Sequence, residues 1–143
     1  MDQDARHEKQ QRVRQLRIVV EAEDYEQTLA FFRDVLGLAE EASYSGDGGA
    51  QVAILDAGRA TLEIANPAQT AIIDRVEVGR RVAPRIRLAF EVDDSAAVTD
   101  ELVDAGAGLI APPTRTPWNS LNARLAAPAG LQLTVFQELE DEA

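Results

Sequence analysis

The chain has no cysteine, which removes disulfides, thiolate metal sites and thiol redox chemistry, and nothing in it points to an oxidising compartment. Histidine is almost as scarce. The single one, His7, lies in the polar stretch of residues 1–15, where it reads as an exposed side chain and not as a catalytic base or a metal ligand. That stretch has no apolar run, so it resembles neither a signal peptide nor a membrane anchor. It is expected to be a tail, the cytoplasm is the expected location, and no membrane partner is expected. A phosphate-cradling loop is missing as well: Gly48 and Gly49 have no lysine nearby and no helix pattern after them, so they mark a hairpin turn. No nucleophile of the G-x-S-x-G type occurs.

Positive charge is also in deficit. A net charge of -11 argues against nucleic acid as a partner, because a phosphate array favours proteins that present basic surface. The arginines Arg75, Arg80, Arg81, Arg85 and Arg87 fall close together, but the acidic total outweighs them. The acidic residues from Glu138 to Glu142 read as a solvated end.

What the chain does have is 45% hydrophobic residues in a length of 143, enough for one domain to bury a core without cross-links. The first ordered segment, residues 16–21, carries the β-branched run Ile18, Val19, Val20 and is expected as a strand. A helix follows, with Asp24 as its cap and Gln27 completing a capping box. Leu29, Phe32 and Leu36 give it an apolar face, with Val35 beside them, and Gly37 is its stop. Strands are expected at 42–44, 51–55 and 61–65, separated by the glycine-rich turn 45–49 and the turn 56–59. Residues 67–84 then read as a linker containing a helical turn or two over 68–76, with Ile72, Ile73 and Val76 facing inward.

From Arg85 the pattern restarts. A strand at 85–92 leads into a helix capped by Asp94, with Val98, Leu102 and Ala105 inward and its stop at 106–108. Strands follow around 109–110, 121–125 and 131–136, and Pro112, Pro113 and Pro117 restrict strand structure between the first two of these. The halves align at an offset of about 70 residues: Glu21, Ala22, Glu23, Asp24 matches Glu91, Val92, Asp93, Asp94. Arg17 therefore matches Arg87, and, after one inserted residue, Glu63 matches Thr134. The expected organisation is a tail (1–15), a first strand-helix-three-strand module (16–66), a linker (67–84), a second such module (85–138) and an acidic tail (139–143).

Strand alternation assigns the faces. Leu16, Ile18 and Val20, then Ile86, Leu88 and Phe90, are expected on the helix side, as are Leu62, Ile64, Leu133 and Val135. The opposite faces then carry Arg17, Val19 and Glu21, next Arg85, Arg87 and Glu91, and finally Glu63, Gln132, Thr134 and Phe136. Two sheets with one polar concave face each would enclose a pocket.

The segment EDYEQTLAFFRDVLGL at residues 23–38 resembles the first helix of the vicinal oxygen chelate superfamily, which includes glyoxalase I, extradiol dioxygenases and bleomycin-resistance proteins. LAFEVDD at 88–94 resembles the start of that family's second module, and APAGLQLTVFQ at 127–137 its last turn and strand. The resemblance implies an α+β fold of two tandem βαβββ modules, each a half-barrel around a cavity, and commonly a homodimer. In metal-dependent members the ligands stand on the first and last strands of each module. The corresponding positions are Arg17, Glu63, Arg87 and Thr134, of which only Glu63 has a ligand-competent side chain of the expected kind. No metal and no cofactor are therefore expected.

Arg17, Arg87 and Glu63 are open to two readings that are compatible: an internal salt-bridge cluster, or guanidinium groups that bind an acidic or carbonyl-rich ligand. Trp118 is either a packing residue at a rim or a stacking surface, while Asn122 and Arg124 share one strand face and Phe136 is expected on the cavity side. Tyr44 is a candidate for the border of the opening. The leading expectation is a metal-independent protein of the bleomycin-resistance kind that sequesters an aromatic or amphipathic natural product through Arg17, Glu63, Arg87, Trp118, Asn122, Arg124, Thr134 and Phe136. Two alternatives remain: a divergent lyase, isomerase or dioxygenase-like enzyme with Glu63 as base or residual ligand, and a module that buries a protein partner.

Overall fold

In a computed structural model, residues 17–60, 63 and 65–140 are described, and they form an α+β fold. The first helix, α1 (Tyr25–Leu29), begins at Asp24, whose carboxylate accepts from the Gln27 backbone N–H at 3.0 Å. It continues as π-helical turns over Ala30–Val35, where the Leu36 N–H bonds back to the Phe31 carbonyl. The wider turn brings the consecutive side chains Phe31 and Phe32 into the core together, edge to face, with ring centroids 5.1 Å apart. Gly37, at φ +89°, ends the helix in the left-handed region. Strands β1 (Glu40–Ser45) and β2 (Gln51–Leu55) then pair antiparallel as a hairpin.

Helix α2 (Pro67–Glu77) is capped by Asn66 and has proline in its first turn. The second module is complete: β3 (Leu88–Glu91), α3 (Ser95–Asp104), β4 (Gly108–Arg115), β5 (Ser120–Ala126) and β6 (Gln132–Glu138). Asp94 caps α3 through the Ala97 N–H, and Gly106, at φ +108°, follows its end. The four strands make one sheet in the order β3-β6-β5-β4, with β3 parallel to β6 and the other pairs antiparallel. Leu102 of α3, Ala123 and Leu125 of β5, and Leu133 and Val135 of β6 join Phe31 and Phe32 in the buried core, so one face of this sheet is apolar as alternation requires.

Three expectations need correction. Residues 17–21 form no strand, and Ile18 and Val19 are 56% and 87% exposed. β-Branched propensity cannot make a strand without a ladder partner, and no described strand pairs with this run. Its expected partner at 61–65 lies largely outside the described residues, since 61, 62 and 64 are not among them. In α2, Ile72 is exposed, whereas the acidic Asp74 and Glu77 are the buried residues. Finally, β4 runs through Pro112 and Pro113, which β4 tolerates because it is an edge strand, with register shifts on either side of Ala111. Residues 1–16 and 141–143, with the expected N-terminal tail, His7 and the last three residues of the expected acidic tail, fall outside the described residues. Among the described residues no helix is long and apolar enough to cross a membrane.

Candidate functional site

The sheet face opposite the core is polar because β5 and β6 put Asn122, Arg124, Gln132 and Thr134 there, in the register Arg124 to Thr134 and Asn122 to Phe136. Four of these residues therefore meet, as alternation predicts, and Arg87 joins them from just before β3. Its Nη1 donates to the Thr134 Oγ1 at 2.5 Å.

Arg124 is 0% exposed. A fully buried guanidinium is tolerated only if its charge and its donors are met, and α2 supplies what is needed. Nη1 of Arg124 donates to Asp74 Oδ1 at 2.7 Å and to Gln132 Oε1 at 2.9 Å, while Nη2 and Nε reach Glu77 Oε1 at 2.8 and 3.3 Å. Asn122 Nδ2 completes Glu77 by donating to Oε2 at 2.7 Å. The second oxygen of Asp74 accepts from Arg81 Nη1 and from the Val82 and Ala83 backbone N–H groups, each at 2.9 Å. Burial alone would raise the Asp74 pKa, but these backbone donors and arginines outweigh it and hold the carboxyl well below its ordinary range.

Asp74 and Glu77 were not foreseen as site residues. Their three-residue spacing puts both on one helix face, and two carboxylates on one face opposite an expected Asn122 and Arg124 pair was the available signal. The apolar run Ile72, Ile73 and Val76 competed with it. Arg124 and Asn122, expected to point into an open cavity, are instead engaged by α2, which packs on β4 and β5.

Arg87 differs. It is half-buried, and Thr134 is its one hydrogen-bond partner among the described residues. No carboxylate of the described residues is within ion-pair distance of it. Desolvation lowers its pKa, the neighbouring Arg124 charge adds to that, and Glu77, Asp74 and Glu63 oppose it at longer range. Glu63 is exposed, so the expected bridge from Glu63 to Arg87 is replaced by the bond to Thr134. Arg17 is exposed. Phe136 is half-buried on the polar face beside Glu91 of β3. Trp118 is 48% exposed at the tip of the β4–β5 hairpin, and Tyr44 is exposed on β1.

A cleft of about 500 Å³ opens elsewhere, between the start of α1 and the turn after β5, lined by residues including Glu23, Asp24, Gln27, Gly106 and Pro128. None of the expected site residues borders it. No cluster of three or more histidine, cysteine, aspartate or glutamate side chains suited to a metal occurs among the described residues.

A family model described as a glyoxalase-like domain matches residues 17–136. The chain belongs to the glyoxalase-like domain family. No curated protein is significantly similar to it in sequence. Solved structures share its fold. A glyoxalase family protein from Bacillus cereus superposes with a TM-score of 0.60 at 16% identity, covering 91% of this chain and 99% of that one. TnmS3, an antibiotic binding protein from a Streptomyces species, gives a TM-score of 0.58 at 20% identity over 89% of this chain and 98% of its own. A glyoxalase-related enzyme from Fulvimarina pelagi gives 0.53 at 21%, covering 88% and 89% respectively. The glyoxalase-like fold thus serves both a binder and enzymes, and the chemistry of this member's own residues has to decide between the two roles.

Proposed function

We propose that this glyoxalase-like domain is a cytoplasmic, metal-independent binding protein that sequesters an aromatic or amphipathic small molecule on the polar face of its second sheet. The observation that carries the reading is the hydrogen bond from Arg87 to Thr134. By the family resemblance, these residues stand at positions of metal ligands in metal-dependent members. A guanidinium has no lone pair to donate to a cation, and here it consumes the threonine oxygen as well. The remaining positions hold Arg17 and Glu63, so the donor set does not fit a divalent metal. An antibiotic binding protein with the same fold supports the binding role at the level of architecture.

The enzyme alternative needs Glu63 as a base in a desolvated site. Its exposure favours binding without transformation. A homodimer is part of the proposal, supported by the exposed Ile18, Val19 and Ile86 and by the edge of β3 that no described strand covers.

The test is native mass spectrometry of the full chain against a panel of aromatic natural products, followed by chromatography of the released compound. Recovery of an unchanged ligand supports sequestration, and recovery of a converted product supports the enzyme. Calorimetric titration with zinc, manganese and nickel must show no stoichiometric micromolar site that depends on Glu63.

A further inference from the structure

The polar sheet face holds two arginines, and their surroundings differ in a way that identifies the ligand's chemistry. Around Arg124 the charges balance: Arg124 and the half-exposed Arg81 face Asp74 and Glu77, each within ion-pair distance of a partner. Arg87 is left over. It is half-buried, repelled by Arg124, and bonded to a neutral hydroxyl. A partly desolvated guanidinium with no carboxylate of the described residues within ion-pair distance costs stability, and the bond to Thr134 fixes the direction of the group without supplying a counter-charge. Fixing the fork in advance reduces what is lost on binding, as a recognition group requires.

Resting on the binding role proposed above, we propose that Arg87 is the anion-recognition residue of the site, and that the ligand carries a carboxylate or a comparable oxyanion. Thr134, bonded to the guanidinium, is a positioning residue. Arg124 is excluded because its donors are occupied by carboxylates of the chain itself. The strands also set the ligand's orientation. Phe136 lies two residues beyond Thr134 on β6, on the same face and about 6.5 Å along the strand, so an aromatic ring reaches Phe136 while its acid group reaches Arg87. Glu91, opposite Phe136 on β3, repels an oxyanion placed the other way round.

The experiment titrates the full chain calorimetrically with 2-naphthoate and with the neutral 2-naphthamide, two probes of matched shape. Naphthoate is expected to bind about tenfold or more tightly than naphthamide, since a charge-assisted bond to a partly desolvated arginine is worth that much. Arg87→Gln drops the charge, and it is expected to fold and to lose the preference for naphthoate over naphthamide. In the unsubstituted protein, the Arg87 side-chain N–H resonances must shift on adding naphthoate, a readout that needs no variant. Equal affinities, a preference that survives Arg87→Gln, or failure of both probes to bind overturns the assignment. If naphthamide binding persists without an acid preference, the binding role stands and only the anion assignment falls. Conversion of a bound natural product would overturn sequestration while leaving the Arg87 measurement standing.

Discussion

Arg124 and Asp74 are 50 positions apart in the chain and 2.7 Å apart in the fold, joined across the polar face of the sheet with both side chains essentially buried. This pair and its neighbour Glu77 lock α2 onto β5. Buried ion pairs contribute little net stability against apolar replacements, yet removing one partner leaves a charge stranded. Arg124→Met strands Glu77 and leaves Asp74 with Arg81 alone as its ion-pair partner among the described residues, and it is expected to lower the unfolding free energy by about 3–5 kcal/mol, read from the urea midpoint. Adding Asp74→Asn and Glu77→Gln should recover part of that loss. A single Arg124→Met variant as stable as the parent would show that α2 is held by something else.

The same pair sets the behaviour in acid. Asp74 has a folded-state pKa below its ordinary value, so the unfolded chain binds the proton more readily. The stabilisation from this group is therefore fully present above the unfolded carboxylate range, about pH 4, and is lost as the pH falls from there toward the lower folded value. Urea midpoints measured from pH 6 down to pH 3 should be level at first and then drop below about pH 4. Asp74→Asn, already destabilised, should show a shallower drop. An equal slope in both proteins would assign the acid sensitivity to other carboxylates.

Several features were readable from the sequence because they depend on local chemistry or on a period. Asp24 and Asp94 cap helices through backbone N–H groups three residues on, as their spacing requires. Alternation placed Leu133 and Val135 in the core, with Thr134 and Arg124 behind them, because burying one face of a sheet fixes the register. The failures are non-local. Whether Ile18 to Val20 forms a strand depends on a partner, which propensity does not encode, and α2 turns Asp74 and Glu77 inward only because Arg124 awaits them. A salt-bridge cluster was one of two open readings for Arg17, Arg87 and Glu63, and the buried cluster on this sheet centres instead on Arg124. The carboxylates that close it come from the linker, where the apolar pattern pointed at Ile72 instead.

The proposed dimer makes a separate prediction. Ile86 is 70% exposed two residues before β3, the sheet edge that no described strand covers. Light scattering during size exclusion should give twice the chain mass for the parent, and Ile86→Lys should shift the population toward monomer, since a charge on an open edge opposes strand addition. A monomeric parent at tens of micromolar would sink the idea.

Glu63 distinguishes the roles left open for the site. It is exposed and beyond ion-pair distance of Arg87, yet its charge is felt there. If Glu63 serves as a distant counter-charge, it competes weakly with an incoming anion. Glu63→Gln should then tighten 2-naphthoate binding by about twofold to fivefold, the range expected for a screened interaction of up to roughly 1 kcal/mol, and leave 2-naphthamide unaffected. As a base in catalysis, the same residue would instead abolish turnover on substitution without this gain in anion affinity. A Glu63→Gln protein that bound naphthoate more weakly would contradict the counter-charge role, because losing a negative charge near Arg87 cannot weaken an anion's attraction to it.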